Sequence, residues 1–200
     1  MKYEESTAIN FSTIKYLLDS EEAFFNNIIN PPKKSIAMKI GNALHEKVLE
    51  NKSVIGFTNK QTIFINKLYN AIVNSNCWKS LEHSNAIVEQ EYYWEINGVK
   101  CKGKEDFSTN NILLDLKTIN DIDYINNHVE KYKYKYQLAW YGMRNNFIRD
   151  KYILLFVDKT INNNVKSIIY SKDDLLIYAD QLYNIIEKYK NIKHKIITNF

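Results

Sequence analysis

Apolar positions recur at helical spacing near the start of the chain. In STIKYLLDSEEAFFNNII, residues 12–29, Ile14, Leu17, Leu18 and Phe25 fall on one stripe. Ser12 stands where an N-cap belongs, and Pro31-Pro32 stops the helix. Ile40, Leu44, Val48 and Leu49 predict a second helix over 36–50, and a third covers roughly 60–75. The period then falls to two. Residues 86–107 read as a β-hairpin: AIVEQEYYWEI runs out, Asn97-Gly98 carries a type I′ turn signal, and VKCKGKEDF returns. Ser108 to Asn111 form a polar turn, and ILLDLKTI follows as a strand with alternating faces. Residues 121–146 predict a helix, and YILLFVD and VKSIIYS, joined by KTINNN, a further hairpin. Ser171 and Asp174 match a capping box for a last helix, striped by Leu175, Tyr178, Leu182, Ile185, Ile186 and Tyr189. This order of elements predicts an α/β fold with a mixed central β-sheet flanked by helices.

Composition narrows the class without fixing a function. With 200 residues, no repeat and no long linker, one domain over 1–200 is expected. The net charge of +4 is compatible with a nucleic-acid partner but does not establish one. Cys77 and Cys101 form no CxxC pair, which argues against structural zinc or a four-cysteine cluster. The chain has no signal-peptide pattern and no run of about 18 apolar residues. A soluble, intracellular protein with no membrane partner is therefore expected.

Candidate chemistry lies in CKGKEDFSTNNILLDLKTIND, residues 101–121. Leu114, Leu116 and Thr118 point to one face of their strand, and Asp115 and Lys117 to the other. With Phe107 opposite Ile112, Asp106 faces Leu113 and shares the side of Asp115; a one-residue slip undoes this. Two neighbouring carboxylates repel unless a divalent cation neutralises them. Hard oxygen donors suit Mg²⁺ or Mn²⁺, which polarise a phosphodiester and lower the pKa of water, and the Lys117 ammonium could hold that water. On this short segment alone, a surface hairpin bearing an Asp–Lys pair worth under about 1 kcal/mol is the more ordinary reading.

The succession GNALH, an acidic strand with Glu91, GKEDF, DLKT and YQLAWYG resembles the PD-(D/E)XK nuclease superfamily. It looks closest to phage-type exonucleases of the exonuclease VIII group, with kinship to CRISPR-associated and RecB nuclease domains. INFSTIKYLLDSEEAFFNN resembles the opening of that group, and the likeness spans about 8–145. The resemblance implies a restriction-endonuclease-like fold and an Mg²⁺- or Mn²⁺-dependent exodeoxyribonuclease with one or two ions per site. His45, Asp106, Asp115 and the Leu116 carbonyl would be ligands, Lys117 the catalytic lysine, and Gln137 a catalytic partner. Tyr141 would contact DNA or water, and Glu91 matches a recurrent acidic strand position. The superfamily's namesake proline is Glu105 here. Degradation of linear duplex DNA from its ends, 5′ to 3′, is implied. So are a ring-like homo-oligomer, a single-strand annealing partner and a phage recombination setting in the cytoplasm. An endonuclease of the same fold and a non-catalytic nucleic-acid-binding module are the alternatives.

Around this core, Gln137 and Tyr141 share a helix face, which Lys133 and Arg144 extend with cations for phosphates. Gly41, one turn before His45, leaves room for another backbone. EKYKYKYQ, residues 130–137, interleaves lysines with tyrosines, which suits either a nucleic-acid surface or a solvated helix face. His83, His128 and His194 read as surface residues, and Trp78, Trp94 and Trp140 as core.

Overall fold

The computed structural model describes residues 7–33, 35–82 and 84–198, with side chains described through 193. His83 and the His194 side chain lie outside the described residues. Five strands lie in the order β1 (Ile87–Ile96), β2 (Val99–Ser108), β3 (Ile112–Ile119), β4 (Lys151–Asp158), β5 (Val165–Tyr170). The β3–β4 pair is parallel and the other three pairs are antiparallel, so the sheet is mixed as expected. Asn97 and Gly98 both have positive φ, the backbone a type I′ turn requires.

Helices cover both faces. On one side α3 (Ile36–Glu50), α4 (Asn59–Val73) and α5 (Asn76–Lys79) bury Ile40, Leu44, Ile65, Leu68 and Trp78 against Leu114, Leu116, Ile153 and Leu155. On the other, α1 (Phe11–Ile14), α2 (Glu21–Ile29), α7 (Tyr134–Met143) and α8 (Lys172–Thr198) close over Leu113, Ile119, Leu154 and Phe156. Side chains alternating along β3 and β4 thus feed two separate cores. Trp78 and Trp140 are buried and Trp94 packs against the core, as expected.

Three helical expectations are corrected. The helix expected over 12–29 is α1, a 3₁₀ turn at Lys15–Leu18, and α2; Asn10 and Ser20 are the caps, not Ser12. The helix expected over 60–75 ends at Val73, and Ser75 then caps the short α5. The stretch 121–146 is a 3₁₀ turn at Ile122–Tyr124, α6 (Ile125–Lys131) and α7, parted at Lys133, whose backbone is left-handed (φ 59°, ψ 39°). That break explains the period-two pattern of EKYKYKYQ, because the residues either side of it belong to different helices. The Ser171–Asp174 box forms as read, with Asp174 Oδ2 2.7 Å from the Ser171 N and the Asp174 N–H donating back to Ser171 Oγ.

Candidate active site

The site lies where β2 and β3 come apart. The two strands pair only at Phe107–Leu114 and Ser108–Leu113 before diverging. The expected register was two residues short, an even slip that leaves every side chain on its expected face. Beyond the split, Ile9 takes up the freed edge of β2, bonding Lys100 and Lys102. At the split itself, Asp106 Oδ2 accepts the Leu116 N–H at 2.8 Å, replacing a ladder bond with a side-chain one.

Groups from both layers meet in this gap. From α3, His45 Nδ1 lies 3.4 Å from Asp106 Oδ2. From β3, the Lys117 ammonium lies 2.5 Å from Asp115 Oδ2 and sits over the Tyr134 ring, 4.9 Å from its centroid. From α7, Gln137 Nε2 donates to Asp115 Oδ1 at 3.2 Å and to the Tyr141 hydroxyl at 3.1 Å. Tyr141 in turn packs on Gly103, where a Cβ would come within 2.9 Å of its ring. The glycine admits the aromatic ring that holds Gln137.

Burial sets the electrostatics. It drives the Asp115 carboxyl up to about 6, against the pull of Lys117 and with the help of the Asp106 charge. Burial acts upward on Asp106 as well, but His45, Lys117 and the Leu116 N–H outweigh it and hold this carboxyl below its ordinary range. Burial opposes charge on Lys117 and on His45; the two aspartates reverse this and raise both. The two carboxylates therefore differ in proton affinity inside one buried space.

One donor atom from each of His45, Glu89 and Asp106 lies within 4.8 Å of the others, a spacing that could hold a metal ion. His45 and Asp106 belong to the ligand set expected from sequence. Glu89 does not. Glu91, the acidic strand position that the resemblance marks, is exposed opposite Lys104 on β1. Glu89 and Glu91 have the same parity on the strand, so sequence alone does not choose between them. Glu89 has a left-handed φ of 51°, which interrupts the β1–β2 pairing at Asp106, and it is ion-paired with Lys104. Asp115 lies outside this group of three, its carboxylate engaged by Lys117 and Gln137. Two carboxylates and one imidazole fit a divalent cation of the Mg²⁺ or Mn²⁺ kind.

Other expected contacts fall elsewhere. Lys133 precedes α7 and pairs with Asp19 at 2.8 Å. Arg144 ends α7 with its guanidinium 3.7 Å from the centroid of the Tyr92 ring, and 3.4 Å from Glu105. Glu105 itself is buried and bidentate to Arg149, at 3.2 and 2.8 Å. A Cβ at Gly41 would meet the Thr118 hydroxyl at 3.6 Å, an ordinary contact with a side chain and not a backbone. His128 is half-buried, not a free surface residue, with its ring 5.0 Å from that of Tyr132. Sequence reading also missed Lys15, on the 3₁₀ turn. Burial lowers its pKa, as do the charges of Lys117 and Lys133, so it is a further basic side chain beside Lys117.

No protein-family model matches the chain, and no curated protein matches it. Among solved structures, one described as a candidate exonuclease from Eubacterium rectale is 13% identical, with a TM-score of 0.70 over 93% of this chain and 85% of that one. A phage-related exonuclease from Haemophilus somnus is 14% identical (TM-score 0.48, 95% of this chain and 96% of that one). An alkaline exonuclease from Laribacter hongkongensis is 14% identical (TM-score 0.43, 96% of this chain and 95% of that one). Only the Eubacterium rectale likeness is strong enough to carry weight, and at that identity it speaks for the fold. The chain has the mixed-sheet, helix-flanked nuclease fold that its motifs resemble. Among the described residues, no helix is long and apolar enough to cross a membrane.

Proposed function

We propose that the chain is a divalent-metal-dependent deoxyribonuclease, acting as an exonuclease on linear double-stranded DNA. The observation that carries this reading is the meeting of His45, Glu89 and Asp106 beside the Asp115–Lys117 pair, in the gap of a sheet with a nuclease fold. His45, Glu89, Asp106 and Asp115, with the Leu116 carbonyl, would hold one or two Mg²⁺ or Mn²⁺ ions. Such an ion, when bound, polarises the scissile phosphodiester and favours ionisation of water. Lys117, kept charged by Asp115 and Asp106, stabilises the negative charge that develops on the phosphate and holds the attacking water in line. Gln137 fixes the Asp115 carboxylate and, through Tyr141, is itself fixed. Lys15 adds a cation for the phosphate backbone.

The finer features rest on the motif resemblance: 5′ to 3′ polarity, a ring-like homo-oligomer around DNA, intracellular location, and phage recombination with a single-strand annealing protein. The test is digestion of end-labelled linear duplex, closed circles and single strands with Mg²⁺, Mn²⁺ or chelator, for wild type beside Lys117→Ala. Loss of label from linear duplex alone, abolished by chelator and by Lys117→Ala, is the expected result. Cleavage of closed circles makes the protein an endonuclease, since a circle offers no end. Binding without cleavage under every condition makes it a non-catalytic module.

A further inference from the structure

The EKYKYKYQ stretch is unusual in the folded chain. Tyr132 caps α6 and Tyr134 opens α7, with the left-handed Lys133 between them. In an unbroken helix, residues two apart point away from each other. The turn at Lys133 instead brings both rings to one side, stacked with planes 21° apart and centroids 5.7 Å apart. His128 adds a third ring, 5.0 Å from Tyr132. The row runs from an outer end, where Tyr132 is 40% exposed, to an inner end under the Lys117 ammonium.

We propose that Tyr132 and Tyr134 form a stacking platform for an unpaired nucleobase, so that the strand being cut enters the site frayed from its complement. This deepens the nuclease reading and rests on it. Three features point to a nucleobase. The rings are parallel and one is open to solvent, as a base-stacking surface needs. Cations surround them: Lys131 lies 5.5 Å from the Tyr132 centroid, and the Lys131 and Lys159 charges both act on His128. Neither lysine makes an ion pair among the described residues, so both are available to phosphates. Finally, Tyr134 touches Lys117, so the inner ring of the platform lies beside the phosphate that Lys117 serves and the outer ring one stacking step away. The exposed Lys131 side chain swings from the ring face to a phosphate as the base arrives.

The experiment uses single-stranded oligonucleotides with 2-aminopurine at successive positions, mixed with the full chain in chelator. Emission and anisotropy are read for wild type, Tyr132→Ala and Tyr132→Phe. Cleavage of flayed-end and blunt duplex is measured alongside in Mg²⁺. Wild type quenches the probe at one or two positions. Tyr132→Ala loses the quench, weakens binding roughly tenfold and raises KM on flayed ends with kcat nearly unchanged, and Tyr132→Phe restores all three. Lys117-dependent cleavage with the same emission and KM in wild type and Tyr132→Ala overturns the platform and leaves the nuclease reading standing. A wild type that neither binds nor cuts any of these DNAs overturns both.

Discussion

The Asp106 carboxylate accepts the backbone N–H of Leu116, ten residues away, at 2.8 Å. One side chain thus supports the sheet where the β2–β3 ladder fails and faces His45 and Glu89 at the same time. These two roles separate by mutation. Asp106→Asn keeps an acceptor for Leu116, so the melting midpoint moves little while metal affinity and cleavage fall at least a hundredfold. Asp106→Ala leaves that N–H without a partner and costs a further ~1–3 kcal/mol in stability. Denaturant titration beside calorimetric metal titration reads both.

Glu89 and Glu91 offer a paired comparison on one strand. Glu89→Gln lowers Mn²⁺ affinity about 10–100-fold, as expected where a ligand or its close support is removed. Glu91→Gln, an exposed change, leaves affinity and stability within error. Equal effects of the two would return the acidic role to the residue favoured by sequence.

Metal affinity falls as pH drops through about 6. Asp115 binds a proton there instead of near its ordinary 3.8, because it is buried beside Asp106, and a proton on a ligand carboxylate competes with a cation. The stability sign follows from the same shift. A raised carboxyl contributes stability that is full below about 3.8 and is lost as pH rises through about 6. Asp106, shifted down, acts only below its ordinary range, and His45, shifted up, only above its ordinary 6.5. His128, shifted down from 6.5 by burial, acts with the opposite sign just below 6.5, so in a His128→Gln background the interval between about 4 and 6 reports Asp115. Metal-free protein melts lower across that interval as pH rises, and added Mg²⁺ restores the difference at the upper end.

Two glycines test how tightly α7 is seated. A Cβ at Gly103 would meet Tyr141 at 2.9 Å and Trp94 at 3.1 Å; one at Gly142 would meet the Phe147 ring at 2.3 Å. Either alanine costs ~1–3 kcal/mol by overpacking, measured by denaturant titration. Only Gly103→Ala displaces the ring that steadies Gln137. It alone lowers kcat when both are assayed well below their midpoints.

The buried Glu105–Arg149 pair gives a stability prediction away from the cleft. Arg149→Ala removes the bidentate partner of a carboxylate that is 1% exposed, leaves it only Arg144 at 3.4 Å, and destabilises by ~3 kcal/mol. Glu105→Met combined with Arg149→Met recovers most of that loss. Chemical unfolding of the single and double variants checks the non-additivity.

Much of this was legible in the chain. Alternation along ILLDLKTI assigned Asp115 and Lys117 to one face, and β3 shows it, because each face has its own apolar core to satisfy. The order of elements gave the mixed sheet. The failures have a common cause. The helical breaks at Asp19–Ser20 and at Lys133, and the approach of Glu89 to Asp106, depend on backbone angles at single residues. Lys133 and Glu89 carry side chains that do not ordinarily demand positive φ, so tertiary contacts, not local propensity, put them there. Helix α7 was hard to read for another reason: with Leu138 through Met143 all buried, it has no polar stripe to mark its period.

The parting of β2 from β3 has a consequence for how the protein matures. His45 arrives from the layer on one side of the sheet and Gln137 from the layer on the other, and they meet only through the opening between the strands. With the α3 layer alone, His45 still reaches Asp106 but Asp115 lacks its hydrogen bond from Gln137. Both layers must therefore be docked before the opening between β2 and β3 is lined on both sides, and losing either one undoes the arrangement around Asp106 and Asp115.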